Sequence, residues 1–142
     1  MFLSYTHILV NEQAIDQDAT HLGDEWVNFR RAETFTFWWF MTSSASPEVD
    51  ISVDIALFPG GAWAGVGTKF DNFSPESEAR TNYRTISLLE GGTTQDEWVP
   101  IDPTTYDTEL LYPFSVLRPR IVEGNVGAVT TFSLLCCCNG GK

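Results

Sequence analysis

A chain of 142 residues falls within the usual span of one domain, and folding at that length buries roughly two thirds of the unfolded surface, enough for a core without staples. Its composition is 43% hydrophobic and 13% aromatic, and large aromatics among many Val, Ile and Thr suit a pleated, half-buried surface better than a helix bundle. The formal charge of −11, with no basic run longer than Arg30-Arg31, argues against nucleic acid and anionic membrane surfaces as partners.

The opening residues MFLSYTHILV lack a basic leader, and Thr6 and His7 interrupt their apolar run, so no secretory signal is read there. No stretch supplies the roughly 20 apolar residues that span a bilayer. Synthesis in the cytoplasm and use without export are expected, and Asn72-Phe73-Ser74, which fits a glycosylation acceptor, is read as coincidence. Ile15, Ala19, Leu22, Trp26 and Phe29 recur at helical spacing, but Thr20 and Gly23 weaken a helix, and Trp26 to Phe29 equally fits the start of a strand. Residues 1–24 are therefore expected to be an extended arm with little regular structure.

From Glu33 to Met41 the chain reads ETFTFWWFM, which places Phe35, Phe37, Trp39 and Met41 on one strand face and Thr34, Thr36, Trp38 and Phe40 on the other. Both faces are apolar at the far end, so part of the outer face is expected to meet another element or another chain. SSASP follows with turn chemistry. In EVDISVDIALF, Val49, Ile51, Val53, Ile55 and Leu57 alternate with Glu48, Asp50, Ser52 and Asp54, and only a two-residue period sorts them into a dry and a wet face.

Pro59-Gly60-Gly61 breaks the chain, AWAGVGTKF reads as a short strand, and residues 71–82 read as a surface loop. RTISLLE is a further strand closed by Gly91-Gly92, and the proline of Trp98-Val99-Pro100-Ile101 confines that segment to an edge or a strand end. After DPTTYD come YPFSVLRPRIVEG and GAVTTFSLLCCC, read as two extended segments with a hairpin signal at Gly124-Asn125. The pattern predicts an all-β, single-domain antiparallel β-sandwich, jelly-roll-like, over residues 25–138, with a tail at 139–142; a closed barrel is the alternative.

No enzyme motif stands out. The two histidines, His7 and His21, lie in the expected arm, and no G-x-S-x-G, HExxH or Cys-x-x-Cys is present. Gly60, Gly61, Gly65 and Gly67 lack the Gly-Lys-Ser/Thr of a phosphate loop and read as turn glycines. Glu48, Asp50 and Asp54 share a strand face without the loop of a calcium site and read as solvated. Trp26, Trp38, Trp39, Trp63 and Trp98 fit core or interface packing better than a sugar platform. No catalytic, metal or cofactor-binding residue is assigned, and no small-molecule substrate is expected.

Cys136-Cys137-Cys138 are the chain's only cysteines. On a strand, Cys136 and Cys138 share a face roughly 6–7 Å apart, beyond the Cβ spacing of a relaxed disulfide. They are candidates for an inter-subunit contact or disulfide; the alternative is three small thiols at the end of a core strand.

WVNFRRAETFTFWWFMT, SVDIALFPGG and YPFSVLRPRIVEGNVGAVTTFSLL together resemble small β-sandwich structural proteins of tailed-phage virions. In those proteins a late Leu-Arg-x-Arg-Val strand precedes a Gly-Asn turn and a final β-branched strand. Leu117-Arg118-Pro119-Arg120-Ile121 departs from the pattern by its proline, which weakens pairing on one side of that strand. The resemblance covers most of residues 25–135 and implies a non-enzymatic capsid cement or decoration protein on the outer shell of the virion. Its implied partners are the major capsid protein and copies of itself. A neck or tail component, and a carbohydrate-binding β-sandwich module, are the alternatives.

Overall fold

The computed structural model describes residues 3–16, 19–27, 32–43, 48–56, 62–63, 79–80, 83–105, 114–124 and 130–140. They contain β1 (Leu3–Ile15), β2 (Thr20–Leu22), β3 (Ala32–Ser43), β4 (Val49–Ala56), β5 (Ala62–Trp63), β6 (Ala79–Arg80), β7 (Tyr83–Gly92), β8 (Gln95–Pro100), β9 (Val116–Glu123) and β10 (Thr130–Gly140). Outside the described residues lie Arg30-Arg31, Phe29, Leu57 and the Pro59-Gly60-Gly61 break. Gly65, Gly67, Asn72-Phe73-Ser74, Asn125 and the turn at 44–47 lie outside them as well.

Eight strands form two antiparallel four-stranded sheets, ordered β1-β10-β3-β8 and β2-β9-β4-β7, and β5 pairs with β6 in a short parallel ladder. The fold is the all-β sandwich that alternation implied. Its pairing has a simple order: β1 with β10, β2 with β9, β3 with β8 and β4 with β7, so the second half of the chain retraces the first. Ladders between β3 and β10 and between β4 and β9 complete the two sheets.

The dry faces are those the sequence assigns. Phe37, Trp39 and Met41 of β3 and Val49, Ile51, Val53 and Ile55 of β4 are buried in one cluster with Ile86, Leu88, Leu117, Ile121, Phe132 and Leu134. Each such side chain removed from water stabilises the fold by about 1.5–3 kcal/mol before the entropy of ordering is subtracted. β8 is an edge strand, as Pro100 requires.

Two expectations are corrected. The arm at 1–24 is built into both sheets: β1 runs along β10 from Leu3↔Gly140 to Ile15↔Thr130, and β2 runs along β9. Its two-residue period is hidden because register shifts fall between Ile8 and Val10 and between Val10 and Gln13, with Glu12 at φ 46°. A bulge adds a residue and switches which parity faces the core, so Val10 and Ile15 are both buried although five apart. The tail likewise starts later than 139, since Asn139 and Gly140 end β10.

The second correction concerns β9 and β10, which lie in different sheets and form no hairpin. Gly124 ends β9, but each run has a long matched partner elsewhere: β9 meets β4 over 8 register pairs, and β10 meets β3 over 11. Turn chemistry at the junction cannot outweigh ladders of that length.

Pro119 sits within β9, between β2 and β4. Leu117 exchanges backbone hydrogen bonds with Trp26, so alternate β9 residues, Pro119 among them, direct their backbone groups toward the amino-terminal side. The missing N–H thus falls away from β4, whose ladder is unbroken, and toward β2, which stops at Leu22 and resumes as a lone bridge at Trp26. Gly23 fills the gap, its N–H donating to Pro119 O at 3.0 Å. A Cβ at Gly23 would lie 2.4 Å from Pro119 Cγ. Gly23→Ala is expected to cost about 1–3 kcal/mol of stability in urea unfolding, whereas Gly124→Ala, with nothing within 4 Å, costs only a small fraction of that.

Candidate functional site

Strand parity places the three cysteines on two faces of β10. Cys136 and Cys138 point inward and are fully buried, with their Sγ atoms 3.8 Å apart, and Cys137 faces outward, half-buried, 3.5 Å from Thr6 Oγ1. All three are free thiols. Burial pushes the Cys136 thiol far above its ordinary value, and its hydrogen bond with Cys138 adds to this. The same hydrogen bond, helped by Tyr5, lowers Cys138 against the opposing effect of its own burial. The candidate inter-subunit disulfide therefore narrows: the interior pair belongs to this chain's core, and Cys137 alone of the three presents its sulfur to the outside.

A second cluster was not anticipated. Asp54 lies on the face of β4 that alternation assigns to water, yet it is 0% exposed. Register sets it beside Arg118 on β9 and Thr85 on β7. Its Oδ2 accepts from Arg118 Nε at 3.0 Å, Arg118 Nη2 at 2.5 Å and Arg120 Nη2 at 3.0 Å; its Oδ1 accepts from Arg120 Nε at 3.3 Å and Thr85 Oγ1 at 2.6 Å. Two guanidinium forks and a hydroxyl surround one carboxylate and make it a clamp between strands. The signal was present in Arg-Pro-Arg: on a strand, residues two apart share a face. Asp50, on the same face but exposed, accepts from Gly91 N at 2.9 Å and holds the end of β7 against β4. Glu48 and Asp50 are exposed, as the solvated face implies, and Asp54 is the exception.

His7 lies flat on Trp26, with ring centroids 4.4 Å apart and planes at 6°, and His21 sits in β2 opposite Ile121. Partial burial lowers the pKa of both, opposed at His21 by the charge of Asp24. Among the described residues no group of three or more His, Cys, Asp or Glu is placed to hold a metal.

The tryptophans divide between core and surface. Trp26 and Trp39 are buried, Trp26 edge-on to Tyr5 and Trp39 stacked near Phe132, while the Trp63 side chain is outside the described set. Trp38 and Trp98 stand on the outer face of the β1-β10-β3-β8 sheet. There Ile8, Leu135, Trp38 and Pro100 are register neighbours in one row across all four strands. Phe40 adjoins that row and meets Trp98 edge to face, 4.6 Å between centroids. Ile8 is 53% exposed and Trp98 37%. These residues form an apolar strip on the described surface, and the sequence hinted at it through the double-sided WWF.

No protein-family model, no curated protein and no solved structure matches the chain.

Two outcomes follow from these sites. In native protein, iodoacetamide should alkylate Cys137 and spare Cys136 and Cys138 until denaturant is added, as read by peptide mass spectrometry; rapid native labelling of either interior thiol would contradict the packing. Asp54→Ala takes the carboxylate from two partly buried guanidiniums and is expected to cost about 3–5 kcal/mol in denaturant unfolding, against about 1 kcal/mol for Asp50→Ala.

Proposed function

We propose that this chain is a non-enzymatic structural subunit of a virus particle, of the capsid cement or decoration type that binds the outer shell of a tailed phage. The observation that carries the reading is the strip of Ile8, Leu135, Trp38 and Pro100, an outward apolar row on a sheet whose opposite face already forms the core. Such a surface is suited to lying against another protein.

The strand wiring supports the same reading. We infer a jelly roll, because two sheets ordered β1-β10-β3-β8 and β2-β9-β4-β7 arise when one long hairpin is rolled up. That architecture serves viral capsid domains, and also lectins and cupins, so it agrees with the virion reading without selecting it. A charge of −11 favours the outside of a shell, away from packaged DNA. The partners implied are the major capsid protein and copies of this chain, and many repeated contacts make a modest interface sufficient. A neck or tail position in the same particle uses the same surface.

The carbohydrate-binding alternative draws on Trp38 and Trp98 standing on one sheet face. Against a stacking platform, Phe40 packs at 84° to Trp98, which turns one ring edge-on where a sugar needs a flat, open array.

The test is composition of purified particles. Quantitative mass spectrometry of gradient-purified virions should find this chain in a fixed ratio to the major capsid protein, and imaging should put it on the outer surface. Absence from washed particles, or a position facing the DNA, overturns the reading. Saturable quenching of tryptophan fluorescence by soluble oligosaccharides would move the assignment to the sugar-binding alternative.

A further inference from the structure

We infer that the outer face of the β1-β10-β3-β8 sheet docks a segment of a different protein, one whose apolar side chains are flanked by lysines or arginines. This rests on the reading above, that contacts with another protein carry the chain's task, and it names the chemistry of that partner's surface.

The apolar centre is small. Ile8, Leu135, Trp38 and Pro100 make one row across the four strands, and Phe40, with Trp98 against it, adjoins that row. Four strands spaced by about 4.8 Å, with same-face rows about 7 Å apart, give a patch on the order of 300 Å². A standard stable interface takes roughly 800 Å² from each partner, so burial of this patch alone holds nothing firmly. The groups around it therefore decide what binds.

Those groups are acids. On the β8 side, Asp96 and Glu97 stand exposed where the register shifts opposite Phe40, and exposed Asp102 follows Pro100 by two residues. At the other side the β1 bulge lays Glu12 over the same face: its N–H donates to the outward Ser133 Oγ at 2.9 Å, and the residue is exposed. The strands β1, β3, β8 and β10 contain no lysine or arginine. Arg118 and Arg120 lie on β9 in the other sheet and are held by Asp54, and His7 of β1 is stacked on Trp26. Among the described residues, then, an apolar centre has an acidic rim with no cation beside it.

Such a rim attracts a basic surface and repels an acidic one. It disfavours a second copy, which brings the same excess of 19 acidic over 8 basic residues, and equally a phosphate backbone or anionic lipid. A lysine or arginine suits both parts of the face. Its aliphatic stem lies along apolar side chains while its charge reaches the carboxylates, and the exposed indole of Trp98 offers a further seat for a cation. The contact is salt-sensitive and weak, with a dissociation constant on the order of 100 μM, a strength that suffices when many copies bind one particle.

Calorimetric titration of the full chain with a synthetic peptide of alternating leucines between paired lysines tests this. Binding is expected in about 20 mM salt and should weaken at least about five-fold in about 0.3 M salt. Twins of the peptide with glutamate for lysine, or serine for leucine, should each bind at least about ten-fold more weakly. Ile8→Ser and Asp96→Lys should each weaken the parent peptide by at least about five-fold. Two controls lie on or beside β2 in the other sheet, at exposed positions: Leu22→Ser, and Asp24→Lys, which makes the same charge change as Asp96→Lys. Both should leave binding unchanged. Thermal midpoints check folding, and Asp96→Lys carries the test if Ile8→Ser unfolds.

No binding of the parent peptide overturns the inference. So does a serine twin that binds as tightly, indifference to substitutions on the strip, or an equal loss in the two controls. Particle composition is a separate readout. Strip-dependent binding by a chain absent from virions removes the virion reading alone, and a chain found on virions whose strip ignores the peptide removes the basic partner alone.

Discussion

The described residues lie almost wholly in strands, so each interior peptide group among them has to find its hydrogen-bond partner on another strand, and here that requirement is met by distant pairs. Leu3 pairs with Gly140, Thr20 with Val122, Trp38 with Pro100 and Val49 with Gly92. The rest of the molecule follows from this retracing. It closes a core between the two sheets, and it brings the final strand into the middle of the first sheet, beside β1 and β3. It also carries Arg118 and Arg120 to Asp54, over sixty positions away in the chain. Ladders of such sequence separation form only after large loop-closure entropy has been overcome, so folding should be slow for a chain of this size.

The polar interior is organised by the same geometry. One carboxylate at 0% exposure accepts five hydrogen bonds from β7 and β9, tying three strands on the face away from the main core. Removal of a single partner from such a cluster is costly because it leaves charge buried, whereas the cluster as a whole adds little over well-packed apolar residues. Its effect is on register: a one-residue slip of β9 would turn both arginines into the core. Pro119 acts in the same direction, since its absent N–H lies on the side where β2 has already ended.

The cysteine run shows how local chemistry depends on which face a residue takes. Cys136 and Cys138 are neighbours inside the sandwich, and their thiols are shaped by burial and by each other. Cys137, between them in sequence, lies outside beside Thr6 and borders the apolar strip. A tail of three successive thiols is thus one inward pair and one outward group, and only the latter shares a surface with Ile8, Leu135 and Trp38.

Alternation by itself determined the fold class, the inward faces of β3 and β4, the edge position of β8 and the one-sided effect of Pro119, because a two-residue period and a missing N–H act within a few positions of chain. It also set Cys136 and Cys138 on one face of their strand and both arginines of Arg-Pro-Arg on one face of theirs. Tertiary structure decided the remainder. Bulges in β1 reversed its parity and hid a strand inside what reads as an arm, and partner ladders of greater length drew β9 and β10 into separate sheets despite turn chemistry between them. The burial of Asp54 on a face patterned for water, and the gathering of Ile8, Leu135, Trp38 and Pro100 into one row, depend on strands far apart in sequence. No local period encodes which distant strand lies alongside, since that choice is settled by the summed matching of whole ladders.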